Sequence, residues 1–137
     1  MNKINYDEQA EKLMSEIIES GRKPKLLLHA CCAPCASACI ERVKKAFAVT
    51  AYFYNPNMDG KEEYARRAKE LERLCKAFDI PAVTENFEPS EFYKAIRGYE
   101  NASEGGSRCE KCFALRAERT AEFARQNGFD YFATTLT

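Results

Sequence analysis

Five of the seven cysteines in this chain fall in two tight groups, Cys31, Cys32 and Cys35 within HACCAPC, and Cys109 and Cys112 within RCEKC. Clustered thiols serve metal or redox chemistry, because several thiolates then approach one centre. Cys109 and Cys112 are three residues apart, and at the first turn of a helix such residues share a face. The free N–H groups and positive dipole end there favour the thiolate, which is the ligating form. Cys31 and Cys32 are adjacent, so both reach one site only where the chain has left the extended state, as the turn at Pro34 predicts. Two thiolates from each group make a four-sulfur set suited to structural zinc or to a [4Fe–4S] cluster. A lone CxxC reads equally as a zinc knuckle or a redox dithiol, but a zinc ribbon uses two separated pairs, and the vicinal Cys31-Cys32 departs from that pattern. Arg108 and Arg116 flank the second pair, either as ordinary surface charge or as cations offsetting a thiolate-bound cluster. Cys39 and Cys75 lie on apolar helix faces and read as packing. His29, the only histidine, precedes the first group and is either structural or a proton carrier.

These groups depend on the elements that carry them. Apolar residues at spacings of three and four predict a helix from Tyr6 to Ser20, ended by Gly21 and Pro24. The apolar run from Lys25 to Ala30 predicts a strand buried on both faces, followed by a helix from Ala36 to Phe47 with Pro34 at its start. VTAYFY, Val49 to Tyr54, is a second strand, NPNMDG a loop, and Lys61 to Phe78 the strongest amphipathic helix. A third strand over Ile80 to Thr84 and a short helix capped by Ser90 come next. A flexible loop from Gly98 to Ser107 leads to a helix over Cys109 to Gln126 that packs through Phe113, Leu115, Thr120 and Phe123. A fourth strand spans Phe129 to Thr134. Strands alternating with helices predict an α/β fold, a three-layer parallel sheet flanked by helices. The first cysteine group then lies past the C-terminal end of the first strand, where such sheets hold ligands.

At 137 residues the chain is read as a single α/β domain, 1–137, with an N-terminal helix over 1–22. Its 21 basic and 21 acidic side chains cancel, so bulk charge gives no nucleic-acid signal, and any such binding uses local patches. The charged N-terminus is unlike a signal peptide and no apolar run suits a membrane span, which points to a cytoplasmic protein with reduced thiols and no membrane partner.

LLLHACCAPC, YFYNPN, the Glu63, Tyr64, Arg66, Arg67 helix start, EGGSRCEKCFALR and GFDYFATTLT, in this order, resemble the epoxyqueuosine reductases of the QueH type over nearly all of the chain from Lys25 onward. The resemblance implies a HUP-like fold related to adenine-nucleotide α-hydrolases. It also implies reduction of the epoxide of epoxyqueuosine at the tRNA wobble position, the last step of queuosine biosynthesis. By position it makes Cys31, Cys32, Cys109 and Cys112 the [4Fe–4S] ligands. Cys35 becomes a metal-facing neighbour that leaves room for an additional mononuclear iron, and together with His29, the proton-carrier candidate read from the residues themselves, it makes up the catalytic candidates. Tyr54, Asn55, Asn57 and Arg108 become substrate contacts, although NPN also suits a plain tight turn. The implied partners are the anticodon loop of a tRNA and an electron donor whose identity the sequence does not give. Tyr52, Tyr54, Arg66, Arg67, Arg97 and Arg108 are candidates for base stacking and phosphate contacts. Two alternatives remain, a structural zinc-thiolate module without turnover and an ATP-using enzyme of the same fold. The second needs a glycine-rich phosphate loop after the first strand, and HACCAPC has no glycine. The family also carries a later cysteine pair, and here no cysteine follows Cys112. With the chain stopping inside TTLT, it is read as truncated before the family's C-terminal part.

Overall fold

The computed structural model describes residues 5–102 and 106–135. The middle of the glycine-rich loop and the last two residues of TTLT therefore lie outside the described residues. The elements follow in the order α1 (Tyr6–Ser20), β1 (Lys25–His29), α2 (Ala33–Val43), β2 (Ala48–Phe53), α3 (Lys61–Ala77), β3 (Ala82–Thr84), α4 (Pro89–Ala95), α5 (Ser107–Gln126) and β4 (Tyr131–Thr134). Asn55 to Gly60 form the predicted loop, and Gly60 enters α3 with φ +108°, a conformation that glycine alone adopts without strain.

Apart from shifts of one or two residues at the ends of the strands, α3 and α5, the differences from the sequence reading fall at α2 and α4. Helix α2 begins at Ala33, three residues early, because Pro34 fits the first turn, where its missing N–H costs nothing. It ends at Val43, and Phe47 reaches the core from beyond the helix. Helix α4 begins at Pro89 with Glu88 as its cap residue, so Ser90 lies inside the helix.

The four strands are all parallel in the order β3-β2-β1-β4. Alternation along the strands sends side chains to two cores. Leu26, Leu28, Ala30, Val49, Ala51 and Phe53 face Met14 and Ile17 of α1, Ala36 and Ile40 of α2, and Tyr64, Ala68, Leu71 and Cys75 of α3. Leu27, Tyr52 and Tyr54 face Ala124, Leu115 and Phe123 of α5 on the other side. The result is helix, sheet, helix. Phe113, expected to pack, is instead 40% exposed. Truncating Leu71, at 1% exposure on the α3 face, is expected to cost about 2–5 kcal/mol. Urea denaturation of Leu71→Ala checks this, and a loss under about 1 kcal/mol would remove α3 from the core.

This topology decides where a site can form. From β1 the chain crosses through α2 to β2 on one side, whereas β4, on the other side of β1, is reached through α5 on the opposite face. Strand order therefore reverses at β1 and β4, and a crevice opens past their C-terminal ends.

Candidate metal centre

The crevice receives the first cysteine group directly from β1. Cys32 is the extended cap residue of α2, with φ −160° and ψ 160°, so Cys31 and Cys32 have left the strand and Cys35 stands in the first helical turn. The three Sγ atoms lie within 4.8 Å of one another, with Cys31 and Cys32 4.0 Å apart, and among the described residues no carboxylate or imidazole shares the cluster. Cys31 also receives support from beyond β4. Its N–H donates to Thr135 Oγ1 at 3.4 Å, and its sulfur lies 3.7 Å from the same oxygen.

The thiols are not equivalent. Burial opposes ionisation of Cys32, but the nearby Cys35 N–H and thiol, the Cys31 thiol and the Arg67 charge outweigh it and hold its pKa below the usual thiol value. Hydrogen bonding to Cys32 and the charges of Cys32 and Cys31 push Cys35 up to about 11. One thiolate shared between neighbouring thiols is the arrangement a soft cation displaces protons from.

The donor set suits a thiolate-bound metal. A tetrahedral ion about 2.3 Å from each sulfur sets its ligands roughly 4 Å apart, within the observed span. Cys109 and Cys112 occupy the first turns of α5, where Cys112 is buried and Cys109 partly so. They lie outside the set of three. The structure thus brings Cys31, Cys32 and Cys35 together, where the sequence reading placed Cys35 beside the ligands, and it does not bring Cys109 and Cys112 into the same tight group.

A polar cleft of about 450 Å³ adjoins the thiols, lined by Cys31, Asn55, Asn57, Met58, Asp59, Glu63, Arg67 and Arg116. Asn55 and Asn57 stand in its wall, as the sequence predicts. Asn55 is fully buried and donates to Ala30 O at 3.1 Å, fixing the loop after β2 to the end of β1. Glu63 is ion-paired with both Arg66 and Arg67.

Three of the residues expected at the substrate stand elsewhere. Tyr54 is 1% exposed, its hydroxyl bonded to Glu91 and its ring beneath Arg119, so it braces α4 and α5 against the sheet and does not line the cleft. Tyr52 is fully buried, stacked on Phe123 and bonded to Glu85 at 3.1 Å, which rules out base stacking by either ring in this structure. Alternating strand residues on a sheet covered on both faces are interior, and that period gave the warning. Arg108 donates to Glu100 O at 3.3 Å and does not line the cleft.

His29 is also interior, at 1% exposure, and links three strands. Its Nε2 lies 2.9 Å from Tyr54 O and its Nδ1 3.1 Å from Thr134 Oγ1. A carbonyl can only accept, so Nε2 carries the proton and Nδ1 accepts from the threonine hydroxyl. Burial pushes its pKa down to about 4, and the ring is neutral. His29 itself does not line the cleft. Sequence reasoning does not single out Thr134 and Thr135, which complete this arrangement; their only signal is a TT pair at the end of an apolar strand.

The sequence profile described as "Epoxyqueuosine reductase QueH" matches residues 26–137. The chain belongs to this family. Curated QueH relatives include proteins from Staphylococcus epidermidis, 38% identical over 98% of this chain and 60% of the relative, and from Streptococcus pyogenes, 36% identical over 98% and 55%. A Thermotoga maritima QueH is 34% identical over 81% of this chain and 58% of its own. The chain thus spans a little over half the length of these QueH proteins. Among solved structures, an NH3-dependent NAD synthetase from Campylobacter jejuni superposes with a TM-score of 0.57 at 14% identity, covering 90% of this chain and 54% of that one. The chain thus shares the parallel, helix-covered fold of that synthetase, with cysteines after β1 and no glycine-rich phosphate loop there.

The remaining cysteines separate from the site. Cys75, 1% exposed, packs in the α3 core, where burial pushes its thiol up to about 11. Cys75→Ala is expected to leave bound metal per chain unchanged, read by elemental analysis, while a parallel loss of metal would bring Cys75 into the centre.

Proposed function

We propose that this QueH chain carries the metal centre that reduces the epoxide of epoxyqueuosine in tRNA to queuosine. The observation that carries this reading is the convergence of Cys31, Cys32 and Cys35 at the sheet's switch point, opening on a polar cleft. In the reaction both carbon–oxygen bonds of the epoxide break, a carbon–carbon double bond forms, and the oxygen leaves as water. Two electrons and two protons are consumed, supplied by an external reductant and by solvent. A [4Fe–4S] cluster and a further mononuclear iron, when bound, would supply one-electron steps and a Lewis acid toward the epoxide oxygen.

The protein's part is holding and orientation. Cys31 and Cys32, with Cys109 and Cys112 from the start of α5, are the proposed cluster ligands, and Cys35 the ligand of the further iron. Asn55 and Asn57 form the wall against which the modified nucleoside lies, and Arg67 and Arg116 supply positive charge. His29 is assigned a positioning role, tying the ends of β1, β2 and β4 beneath the ligands. The substrate's anticodon loop approaches through exposed basic residues such as Arg97 and Arg66. Seven free thiols and a tRNA substrate suit the reducing cytoplasm. Among the described residues no helix is long and apolar enough to cross a membrane.

A structural zinc site is favoured by one observation, since the three-sulfur spacing also suits a single tetrahedral ion. Anaerobic purification with iron, sulfide and zinc analysis separates the two. Incubating the iron- and sulfide-loaded chain with epoxyqueuosine-tRNA and dithionite, followed by nucleoside mass spectrometry, is expected to yield queuosine. Stoichiometric zinc without sulfide, or an intact cluster without product, overturns the proposal.

A further inference from the structure

The two arginines that flank the second cysteine pair have different surroundings. Arg108 donates to the Glu100 carbonyl oxygen at 3.3 Å and does not line the cleft. Arg116, one turn beyond Cys112, stands in the cleft wall together with Cys31. Its Nε lies 3.5 Å from the Cys112 carbonyl oxygen, and its terminal nitrogen donates to Asn55 Oδ1 at 3.3 Å. Asn55 in turn donates to the carbonyl of Ala30, the residue before Cys31. A continuous path of hydrogen bonds thus joins the two cysteine groups through one guanidinium. Among the described residues, Arg116 has no carboxylate in ion-pair distance, whereas the other cation of the cleft, Arg67, is paired with Glu63 at 2.6 Å.

An arginine held by neutral acceptors keeps its full charge for an anion nearby. Thiolates are such anions, and each electron added to a metal centre they hold adds one more negative charge. We propose that Arg116 is a positioning residue of the centre: clamped by Asn55 between the two cysteine groups, it compensates their thiolate charge and raises the reduction potential of the iron they hold. This rests on the reductase reading given under the proposed function. Charge beside a centre is among the levers that set an iron–sulfur potential, and it acts strongly where burial excludes water. Asn55 and Ala30, both fully buried, provide that setting.

The test compares wild type, Arg116→Gln and Arg116→Lys, each reconstituted anaerobically with iron and sulfide and titrated potentiometrically under visible absorbance and EPR. Arg116→Gln is expected to bind iron and sulfide like wild type, with a midpoint potential moved to lower values. Arg116→Lys, which keeps the charge, is expected to return most of that shift. An unchanged potential in Arg116→Gln at full iron and sulfide content overturns the inference while leaving the reductase reading intact. A lysine variant as low as glutamine also overturns it, since charge is then not what the centre senses. Wild type that holds only zinc removes both.

Discussion

Serine at Cys31 or Cys32 is expected to give a folded protein that retains less than about one hundredth of the wild-type iron affinity, given that loss of mere partners of metal ligands costs 10–100-fold. On the proposed reductase reading, turnover of epoxyqueuosine-tRNA falls with it below detection. The prediction is large because these two sulfurs are held from both sides. Cys32 caps α2, and Cys31 is pinned to Thr135 across the sheet. Neither fills a core position whose loss would unfold the chain, both being only partly buried. Circular dichroism checks folding, and iron and sulfide analysis checks the centre. Cys35→Ser is the informative companion. It is expected to keep sulfide and lose only the additional iron. Loss of sulfide as well would make Cys35 a cluster ligand, and wild-type iron in Cys31→Ser would detach the triad from the metal altogether.

His29→Ala is expected to destabilise the fold by about 3 kcal/mol, combining a cavity with an orphaned carbonyl and hydroxyl. The same residue makes wild-type stability pH-dependent. Its pKa is depressed in the folded protein, from 6.5 to about 4. The unfolded chain therefore binds the proton more readily, so the contribution of the neutral ring is complete above pH 6.5 and is lost as pH falls toward 4. The loss amounts to about 3 kcal/mol at most, at 1.36 kcal/mol per pH unit. Urea midpoints of wild type and His29→Ala at pH 7 and pH 4.5 test this. The gap between the two proteins is expected to narrow at the lower pH. A gap that stays constant would show that protonation of His29 does not cost the fold.

Much of the architecture is legible in the sequence because local signals agree with the global one. The i, i+3, i+4 pattern of α3, the continuous apolar run of β1 and the NPNMDG turn each specify one outcome. The start of α2 is harder to place because Pro34 is compatible both with a turn before a helix and with its first turn, and only the tertiary position of Cys35 decides between them. The cysteine groups are visible as groups, but which sulfurs converge depends on how the chain leaves β1. Tyr54 misleads because a motif says that a residue recurs in order, not which face of the sheet it occupies. The contacts that bring Arg116 and Thr135 to the site are invisible in the sequence, since each acts on cysteines through partners 61 to 104 residues away.

Those separations carry a consequence for how the protein comes to hold metal. Cys31 leaves the ribosome early, yet its N–H and sulfur find Thr135 only after 104 further residues have been made. The neighbouring pairing of β1 with β4 closes a loop of the same size, the kind of nonlocal contact that raises contact order and slows folding. Strands β1 to β3, with α2 and α3 between them, form through shorter loops. The cysteine-bearing end of β1 is therefore joined by β4 only after β1 to β3 have formed. On the proposed reading, stable metal capture reports that β4 has paired with β1, and metal bound with β4 in place would stabilise that closure by mass action.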